Sequence, residues 1–392
     1  MTNKDNHSPI KILYVTQNSG LNGGATIALL NLMLDMKERY NVIPSMLVPD
    51  DEDLAQRCRQ NGIEVFCMKF YSWVCGDTLF SKLKGLIKTI LNRIYFHPRI
   101  LRALRGRKFD IIHTNSSVTD MGSVIARKFN VRHVWHIREC LSRHYDLLYC
   151  YPLKYVRYRY SLADSVAAIS HSVQEYFNSE FNLPEKTRII YDGMRVPEAY
   201  EKRRPLERIN FCMTGLVSEG KNQLMAVKAF SFLKEYAGKF TLHIIGDITS
   251  KNPRKYADEL QNLADSFGLG DNIKFWGFRR DVDKILHDMD VGLMLSRCEG
   301  FGRVTVEYML NYMPVIGVDT GATPEIVADG ETGFICGLDD SEKLAELMIR
   351  FIENPELIAS MGRAGRERAV KNFSLEQNTD SIYSLYQEIL SR

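Results

Sequence analysis

Several features that mark other classes of protein are absent from this 392-residue sequence. No stretch approaches the roughly 18 apolar residues that a membrane-spanning helix requires. The opening residues, MTNKDNHSPIKILYVTQ, contain no apolar signal core. The eight cysteines form no C-x-x-C pair, so we interpret them as reduced thiols and predict no zinc site. We therefore expect a cytoplasmic protein that does not cross a membrane.

Charge and composition exclude further classes. The 51 basic and 48 acidic side chains leave a net charge of +3, so charge alone gives no reason to predict nucleic-acid binding. With 45% hydrophobic and 25% charged residues, and no low-complexity segment, the composition is that of a globular protein. The length exceeds what a single hydrophobic core usually supports, which predicts two domains.

Short apolar strands alternate with helical patterns along the whole chain, which is typical of parallel α/β sheets. The rhythm is interrupted once, by the polar stretch from Gly193 to Arg208, and then restarts. We predict two Rossmann-like domains, 1–195 and 196–392, facing each other across a cleft, with ligands at the carboxyl ends of the strands. The sequence does not specify what the final helix, from about residue 374, packs against. This helix can cross back to the first domain.

The segment SRCEGFGRVTVEYML, residues 296–310, reads as a strand end, a glycine loop and the start of a helix. Free amides and the positive end of the helix dipole suit a diphosphate there, and Gly300 and Gly302 allow close approach. Glu299 and Glu307 would flank the anion and accept hydroxyls of a sugar and a ribose. The alternative is that both are ordinary solvated acids.

The motif EGFGRVTVE resembles the E-x(7)-E motif of retaining GT-B glycosyltransferases, the family of sucrose synthases and many bacterial polysaccharide glycosyltransferases. The continuation YMPVIGVDTGATPEIVADGETGFI is similar to that family's, and the likeness is strongest from Gly215 to Phe334. The resemblance implies a GT-B fold, an acceptor-binding first domain and a donor-binding second domain. It also implies metal-independent transfer of a hexose from a nucleotide diphosphate sugar to a glycan hydroxyl, with retention and without a cofactor.

The resemblance also implies roles for residues of the second domain. Glu299 would contact the donor sugar and Glu307 the ribose. The diphosphate would be held by Lys221, beside Gly215, and by the main chain of the loop and helix start at Gly300, Phe301, Gly302, Arg303, Val304 and Thr305. Leu216 stands where the family often has arginine, and Arg303 can compensate. Phe278 and Arg279 would lie beside the nucleotide base.

In the first domain, GLNGGAT resembles the family's glycine loop, which implies that Gly23 and Gly24 approach the donor phosphate or the acceptor. His136 occupies the position of a histidine that the family places near the donor sugar's primary hydroxyl, which implies a catalytic role. A buried core imidazole is the alternative. Asn115, Arg138 and Glu139 follow strand ends and are candidates for the acceptor side.

Residues 78–109 contain no acid and nine cations, and apolar residues recur among them at helical spacing. This pattern is typical of a basic amphipathic helix on an anionic membrane surface. The tyrosine-rich stretch YPLKYVRYRY adds to it. A peripheral protein on the inner face of the plasma membrane, acting on a lipid-linked saccharide for surface polysaccharide synthesis, is one interpretation. The other is that the apolar residues pack on the first domain.

Two other functions fit the same architecture. The chain can be a nucleotide-sugar epimerase or sugar phosphorylase, or a non-catalytic subunit that binds glycans or sugar nucleotides. Leu216, in place of the expected cation, keeps the second alternative open. The sequence does not specify the sugar, the nucleotide, the linkage or the oligomeric state.

Overall fold

The structure, a computed structural model, describes residues 8–21, 23–142, 146–200, 207–248 and 253–392. The chain divides into two units: residues up to Gly193 together with Leu375–Arg392 form the N-terminal unit, and Met194–Ser374 form the C-terminal unit. The predicted boundary at 195–196 lies two residues from this division. Within the predicted polar linker, residues 201–206 lie outside the described part of the chain.

The N-terminal unit is built on a seven-stranded parallel sheet with the order β3-β2-β1-β5-β6-β8-β9. Its β1 strand buries Ile12 to Val15 completely, as expected for a sheet covered on both faces. Strands β4 and β7 form a separate antiparallel pair. The strand bounds are β1 Ile10–Thr16, β2 Val42–Val48, β3 Glu64–Cys67, β4 Val74–Gly76, β5 Ile111–Asn115, β6 Arg132–Ile137, β7 Leu147–Tyr149, β8 Ser165–Ala168 and β9 Thr187–Ile189.

Helices connect these strands. A π turn, Asn92–Phe96, follows α3 directly and leads into α4. The helix bounds are α1 Gly24–Arg39, α2 Asp53–Gln60, α3 Leu79–Leu91, α4 His97–Ala103, α5 Met121–Phe129, α6 Leu153–Ser161 and α7 His171–Phe181.

The C-terminal helix, Leu375–Ser391, packs in the N-terminal unit. The rings of Tyr40 and Tyr383 stack at 3.8 Å. The Asp380 carboxylate accepts hydrogen bonds from Arg39 and from the Tyr40 hydroxyl, both at 2.6 Å. The helix also contributes apolar residues, among them Tyr386, to the core beside β1 and α1. Aromatic stacking, an ion pair and apolar burial therefore hold this helix in place.

The C-terminal unit has a six-stranded parallel sheet with the order β12-β11-β10-β13-β14-β15. Its strands are β10 Ile209–Thr214, β11 Phe240–Ile245, β12 Ile273–Gly277, β13 Val291–Met294, β14 Val315–Val318 and β15 Gly333–Cys336. Its helices are α8 Gln223–Ala229, α9 Pro253–Ser266, α10 Val282–Leu286, α11 Arg303–Leu310, α12 Thr323–Ile326, α13 Ser341–Glu353 and α14 Glu356–Phe373.

The predicted α/β class with two Rossmann-like units is confirmed. Each unit has its own apolar core on its own parallel sheet. In each, the turns that leave the carboxyl ends of the strands are where ligands are expected. Across the described residues, no helix combines the length and the apolarity needed to cross a bilayer.

Candidate active site

The loop after β13 enters α11 at Gly302. This glycine has a φ of +89°, in the left-handed region that other residues avoid, and it immediately precedes the helix. The amides of Thr305 and Val306 return to its carbonyl oxygen at 2.9 and 3.4 Å. The first amides of a helix have no partner inside it, and no described side chain caps α11. The start of α11 can therefore receive an anion.

The Thr305 hydroxyl is buried beneath the same loop. Among the described residues it has no hydrogen-bond partner. A Cβ built on Gly302 would lie 3.1 Å from this hydroxyl, so the glycine leaves space directly above it. Because buried polar groups are nearly always paired, the hydroxyl is placed to bond an oxygen of a ligand at the helix start.

Glu299 and Lys221 lie together at this helix start. The Lys221 Nζ donates to Glu299 Oε2 at 2.7 Å, and both side chains remain partly exposed. A cation and a carboxylate beside a helix amino terminus present one group for an anion and one for a hydroxyl. The structure thus brings together two residues that are 78 positions apart in the sequence.

Gly321 and Ala322 pack against the main chain of Glu299, and no motif in the sequence indicated this contact. The carbonyl of Glu299 accepts the amide of Ala322 at 3.0 Å. Gly321 has a φ of +58°, and a Cβ added to it would lie 2.3 Å from the Glu299 carbonyl oxygen. Only glycine fits this contact without a shift of the loop. The signal available in the sequence was the turn VDTGAT after β14.

Asp339 joins the two loops that carry Lys221 and Glu299. Its carboxylate accepts two hydrogen bonds from Arg297, at 2.7 and 2.8 Å, and one from Asn222 at 3.1 Å. The bond to Arg297 lowers the pKa of Asp339. Since Arg297 and Asn222 are close neighbours of Glu299 and Lys221, Asp339 sets the spacing of the two loops. No sequence motif pointed to it.

Glu307 lies in the second turn of α11 and is half-buried. Burial raises the pKa of its carboxyl to about 7; the Arg303 charge opposes this and the Asp283 charge adds to it. No described residue donates a hydrogen bond to the carboxylate. A desolvated carboxyl without donors is suited to bind the hydroxyls of a ligand, which would favour its ionised form.

Gly215 and Gly246 follow the carboxyl ends of β10 and β11, where their main chains are in close contact. Gly215 has a φ of +133°, and a Cβ on Gly246 would come within 1.7 Å of the Gly215 carbonyl oxygen. The Cε of Lys221 is 3.7 Å from the position of a Cβ on Gly215. Gly215 therefore lies beside Lys221, as predicted, and Gly246 must be glycine to leave room for the Gly215 carbonyl. Leu216 is exposed and supplies no charge.

The residues expected near the nucleotide base follow β12. The Phe278 side chain is 67% exposed, so its ring is available to a partner. Arg279 pairs with Asp281 at 2.7 and 2.8 Å and lies over the ring of Trp276 at 5.7 Å. An exposed aromatic beside an arginine can stack on a base, but this geometry does not select one base over another.

In the N-terminal unit, Gly23 immediately precedes α1 and Gly24 is its first residue. The Thr26 hydroxyl donates to the carbonyls of Gly20 and Gly23, at 2.8 and 3.0 Å, and holds this turn closed. No described side chain caps α1. The turn is thus a second helix start without a cap. Asn22, which belongs to the predicted glycine loop, lies outside the described residues.

His136, the predicted catalytic histidine, is completely buried at the end of β6. Its Nδ1 lies 3.3 Å from His113 Nε2, and His113 Nδ1 lies 2.7 Å from the hydroxyl of Tyr386 on the C-terminal helix. Burial lowers the pKa of both imidazoles well below the ordinary value, so both are neutral at pH 7. The Nε2 of His136 has no hydrogen-bond partner among the described residues.

The three residues predicted for the acceptor side, Asn115, Arg138 and Glu139, all make hydrogen bonds within the N-terminal unit. Arg138 is buried, pairs with both carboxylate oxygens of Asp192 at 2.6 Å, and donates to Asn115 at 2.7 Å. Glu139 accepts from the hydroxyl of Ser116 at 2.6 Å and from the Ser117 residue. These side chains thus brace the carboxyl edge of the sheet, and a role with an acceptor stays a prediction for them.

Several solved structures share the fold of the whole chain. HepE of Anabaena, solved in complex with UDP, is 21% identical, with a TM-score of 0.78, and the match covers 97% of this chain and 100% of that one. A glycosyltransferase from Rickettsia africae, 20% identical, also gives 0.78, covering 98% of this chain and 99% of that one. At these identities, the likeness establishes the fold.

Two family models match adjoining parts of the chain. The model "Glycosyltransferase Family 4" matches residues 48–196, and "Glycosyl transferases group 1" matches residues 198–368. Together they span most of the sequence and divide it close to the boundary between the units. The chain belongs to the GT-B glycosyltransferases. The predicted GT-B glycosyltransferase family is therefore confirmed, whereas retention and the E-x(7)-E assignment stay predictions.

Relatives of this GT-B glycosyltransferase act on different substrates. N-acetyl-alpha-D-glucosaminyl L-malate synthase of Bacillus anthracis is 30% identical over 60% of this chain and 62% of its own length. The lipopolysaccharide core biosynthesis mannosyltransferase LpcC of Rhizobium leguminosarum is 28% identical over 45% of this chain and 50% of its own. This glycosyltransferase thus aligns with less than two thirds of the length of either relative.

Proposed function

We propose that this GT-B glycosyltransferase transfers a hexose, with retention, from a nucleotide diphosphate sugar to a hydroxyl of a glycan acceptor. The observation that carries the proposal is the pairing of Lys221 with Glu299 at the uncapped start of α11. In this assignment the diphosphate lies on the helix amides, where Lys221 and Arg303 add positive charge. Complexes of HepE with UDP and with UDP-glucose support a nucleotide-sugar donor.

The reaction breaks the bond between the anomeric carbon and the diphosphate oxygen. Charge that develops on the departing diphosphate is stabilised by the Lys221 ammonium and the helix amides, which are already oriented. The acceptor hydroxyl oxygen forms the new bond to the anomeric carbon on the face that the diphosphate leaves. Its proton passes to a diphosphate oxygen, so atoms and charge balance. Glu299, released from Lys221 when the donor binds, accepts hydroxyls of the sugar.

Two further contacts orient the donor. The Glu307 carboxylate accepts the ribose hydroxyls, and Phe278 with Arg279 borders the base. We also propose for His136 the role that the family resemblance implies, a contact to the primary hydroxyl of the sugar. Its support is the buried Nε2 without a partner among the described residues. A variant His136→Ala that keeps full turnover would remove this assignment.

The central test uses Lys221→Ala and Glu299→Gln, with transfer measured on a panel of UDP-, GDP- and ADP-sugars. A matched control is available in Lys343→Ala, because Lys343 forms an exposed ion pair with Glu346 at 2.6 Å in the same unit. We expect the two site variants to lose at least about a hundredfold in turnover, the scale of lost electrostatic stabilisation, and the control to keep full activity. Full activity in both site variants would refute the site.

The same assay separates the alternative functions. Product that appears only when a glycan acceptor is supplied indicates transfer, whereas donor conversion without an acceptor indicates an epimerase. Formation of a sugar phosphate with inorganic phosphate indicates a phosphorylase, and tight donor binding without turnover indicates a binding subunit. The configuration of the new linkage, read by NMR, tests retention directly.

We also propose that catalysis needs no bound metal, because Lys221, Arg303 and the α11 amides supply positive charge at the diphosphate. The test is turnover after prolonged treatment with EDTA, with and without added magnesium. Equal rates in the two samples support the proposal. A loss that magnesium restores would refute it.

An anionic membrane surface is the proposed place of the acceptor, which we take to be a lipid-linked saccharide. The apolar side chains of α3 are exposed, whereas the alternative interpretation predicted that they pack on the N-terminal unit. Lysines lie between them in the sequence. The exposed fractions are 55% for Leu83, 52% for Leu86 and 59% for Ile87. Such a face gains free energy by entering an acidic lipid interface. Co-sedimentation with phosphatidylglycerol vesicles, abolished by Leu83→Glu and Ile87→Glu, would support it; equal binding to phosphatidylcholine would not.

A further inference from the structure

A pocket of about 370 Å³ opens on the N-terminal unit where the π turn, α4, α5 and α6 meet. Five ionisable side chains line it: Arg93, His97, Asp120, Tyr155 and Arg159. The donor site described above uses none of them. Two arginines against one aspartate leave the pocket with an excess of positive charge, which favours an anionic ligand.

Arg159 forms the buried floor of the pocket. Its Nε and one terminal nitrogen donate to the Ser123 hydroxyl at 3.2 and 2.9 Å, and the other terminal nitrogen donates to the Tyr155 hydroxyl at 3.1 Å. Asp120 is 4.0 Å away, too far for a hydrogen bond. Since a guanidinium has five N–H donors, Arg159 is held in place and still has donors for a ligand.

His97 supplies a buried polar atom without a partner. The residue is 7% exposed, and no described residue hydrogen-bonds its Nε2. The nearest carboxylate oxygen, on Asp120, is 3.9 Å away. An unpaired buried ring nitrogen costs free energy, which a ligand oxygen in the pocket would recover.

Arg93 closes the outer side of the pocket. Its guanidinium lies over the rings of Tyr151 and Tyr155, at 5.0 and 5.3 Å. The guanidinium also hydrogen-bonds with the side chains of both tyrosines, and since it has five N–H donors it keeps some of them for a phosphate. The π turn that carries Arg93 is fixed by Asn92, whose carboxamide makes two hydrogen bonds to the Tyr71 main chain, both at 2.8 Å. Such turns are frequent at functional sites.

The exposed apolar face of α3 leads to this pocket. Leu86 and Ile90 precede Arg93 by seven and three residues, so the three lie on one helical face. Ile94, next to Arg93, is 74% exposed. An apolar surface that ends at a cationic pocket matches a molecule with a hydrocarbon chain and a phosphate at its end.

We infer that this pocket binds the phosphate group of an amphiphilic ligand, with Arg93, His97 and Arg159 on the phosphate oxygens and α3 on the apolar chain. The inference rests on the proposed function in one respect: a lipid-linked acceptor carries a phosphate of this kind. A phospholipid head group has the same chemistry. The pocket is a binding site, and its residues take no part in breaking bonds.

The test measures binding of farnesyl diphosphate by calorimetry in the Lys221→Ala background, which weakens competing binding at the donor site. We expect Arg93→Gln to raise the Kd about tenfold or more, and His97→Gln to raise it severalfold, as for lost charge-assisted bonds. Arg99→Gln is the matched control, because Arg99 also stacks on a tyrosine, Tyr95, at 4.8 Å but does not line the pocket. It should change the Kd less than about twofold.

Companion ligands identify the chemistry. Inorganic pyrophosphate should bind more weakly than farnesyl diphosphate, and farnesol should bind more weakly still. Equal affinity for farnesol and farnesyl diphosphate, or equal losses in Arg93→Gln and Arg99→Gln, would overturn the inference. Equal affinity for pyrophosphate and farnesyl diphosphate would show that the apolar chain does not contribute to binding, and would overturn that part of the inference. Because Arg93 is exposed, its replacement leaves folding intact, and the thermal midpoint verifies this.

Two outcomes separate this inference from the proposed function. Arg93-dependent binding in a protein that turns over no donor would leave the pocket standing and refute the transferase proposal. Normal transfer to a soluble acceptor without Arg93-dependent binding would support the transferase proposal and refute the pocket. Phosphatidylglycerol vesicles, compared with phosphatidylcholine vesicles carrying farnesyl diphosphate, distinguish a bulk phospholipid from a prenyl diphosphate as the source of the phosphate.

Discussion

Replacing Glu307 with glutamine removes a buried carboxyl group. The ionised form of this carboxyl destabilises the folded protein because burial removes it from water. Burial raises its pKa from the ordinary 4.5 to about 7. The folded protein therefore binds a proton at this site more tightly than the unfolded chain does. Between pH 4.5 and 7, the free energy of unfolding falls as pH rises, because the unfolded chain releases this proton while the folded state keeps it.

The magnitude follows from the size of the shift. At about 1.4 kcal/mol for each pH unit, the difference between 4.5 and 7 corresponds to about 3 kcal/mol. The amide of glutamine has nearly the same shape and no charge at any of these pH values. Glu307→Gln should therefore match the parent protein near pH 4.5 and exceed it by about 3 kcal/mol above pH 7.

The measurement is equilibrium urea unfolding of both proteins at pH 5, 6, 7 and 8. Glu331→Gln is the control, because Glu331 is exposed in the same unit and its replacement removes an equal charge. Only Glu307→Gln should show a stability difference that grows with pH. A difference that stays constant from pH 5 to 8, or that appears equally in the control, would refute the desolvation argument.

The same carboxyl links pH to donor binding. Ribose hydroxyls donate to the ionised form, so we expect nucleotide affinity in the parent protein to increase from pH 6 to 8. In Glu307→Gln this increase should be absent. Titration with UDP at each pH provides the measurement, and a parallel pH dependence in both proteins would exclude Glu307 as the ribose ligand.

Three further substitutions test the supporting contacts. Asp339→Ala should cost about 1 kcal/mol of stability or less, since its ion pair is exposed, but should lower kcat/KM about tenfold because the two site loops lose their spacing; an unchanged kcat/KM would refute this role. Gly321→Ala should destabilise by about 1–3 kcal/mol and reduce turnover, since its Cβ meets the Glu299 carbonyl; wild-type activity in a steady-state assay would contradict the contact. Tyr386→Phe, which removes the buried bond to His113, should cost about 1–3 kcal/mol, read as a lower thermal midpoint; no shift would show that the bond is dispensable.

Much of the donor site was predictable because its signals are local. A buried strand, a Gly-Phe-Gly loop and a helix start lie within a few residues, so their order in the sequence is their order in space. The helical pattern predicted within residues 78–109 was also local, and in α3 the structure exposes apolar side chains such as Leu83, Leu86 and Ile87. The same reasoning selected Arg138 for the acceptor without indicating its buried partner Asp192, 54 positions away.

The sequence by itself determined the two α/β halves and the glycine loop with its flanking acids at the start of α11. These depend on periodicity and on the conformational range of single residues. Only the tertiary structure decided that Asp339 meets Asn222 across 117 positions, that Gly246 faces Gly215, and that the C-terminal helix reaches His113. Such contacts arise from the order of strands in a sheet and from helix packing, and no single stretch of sequence encodes them.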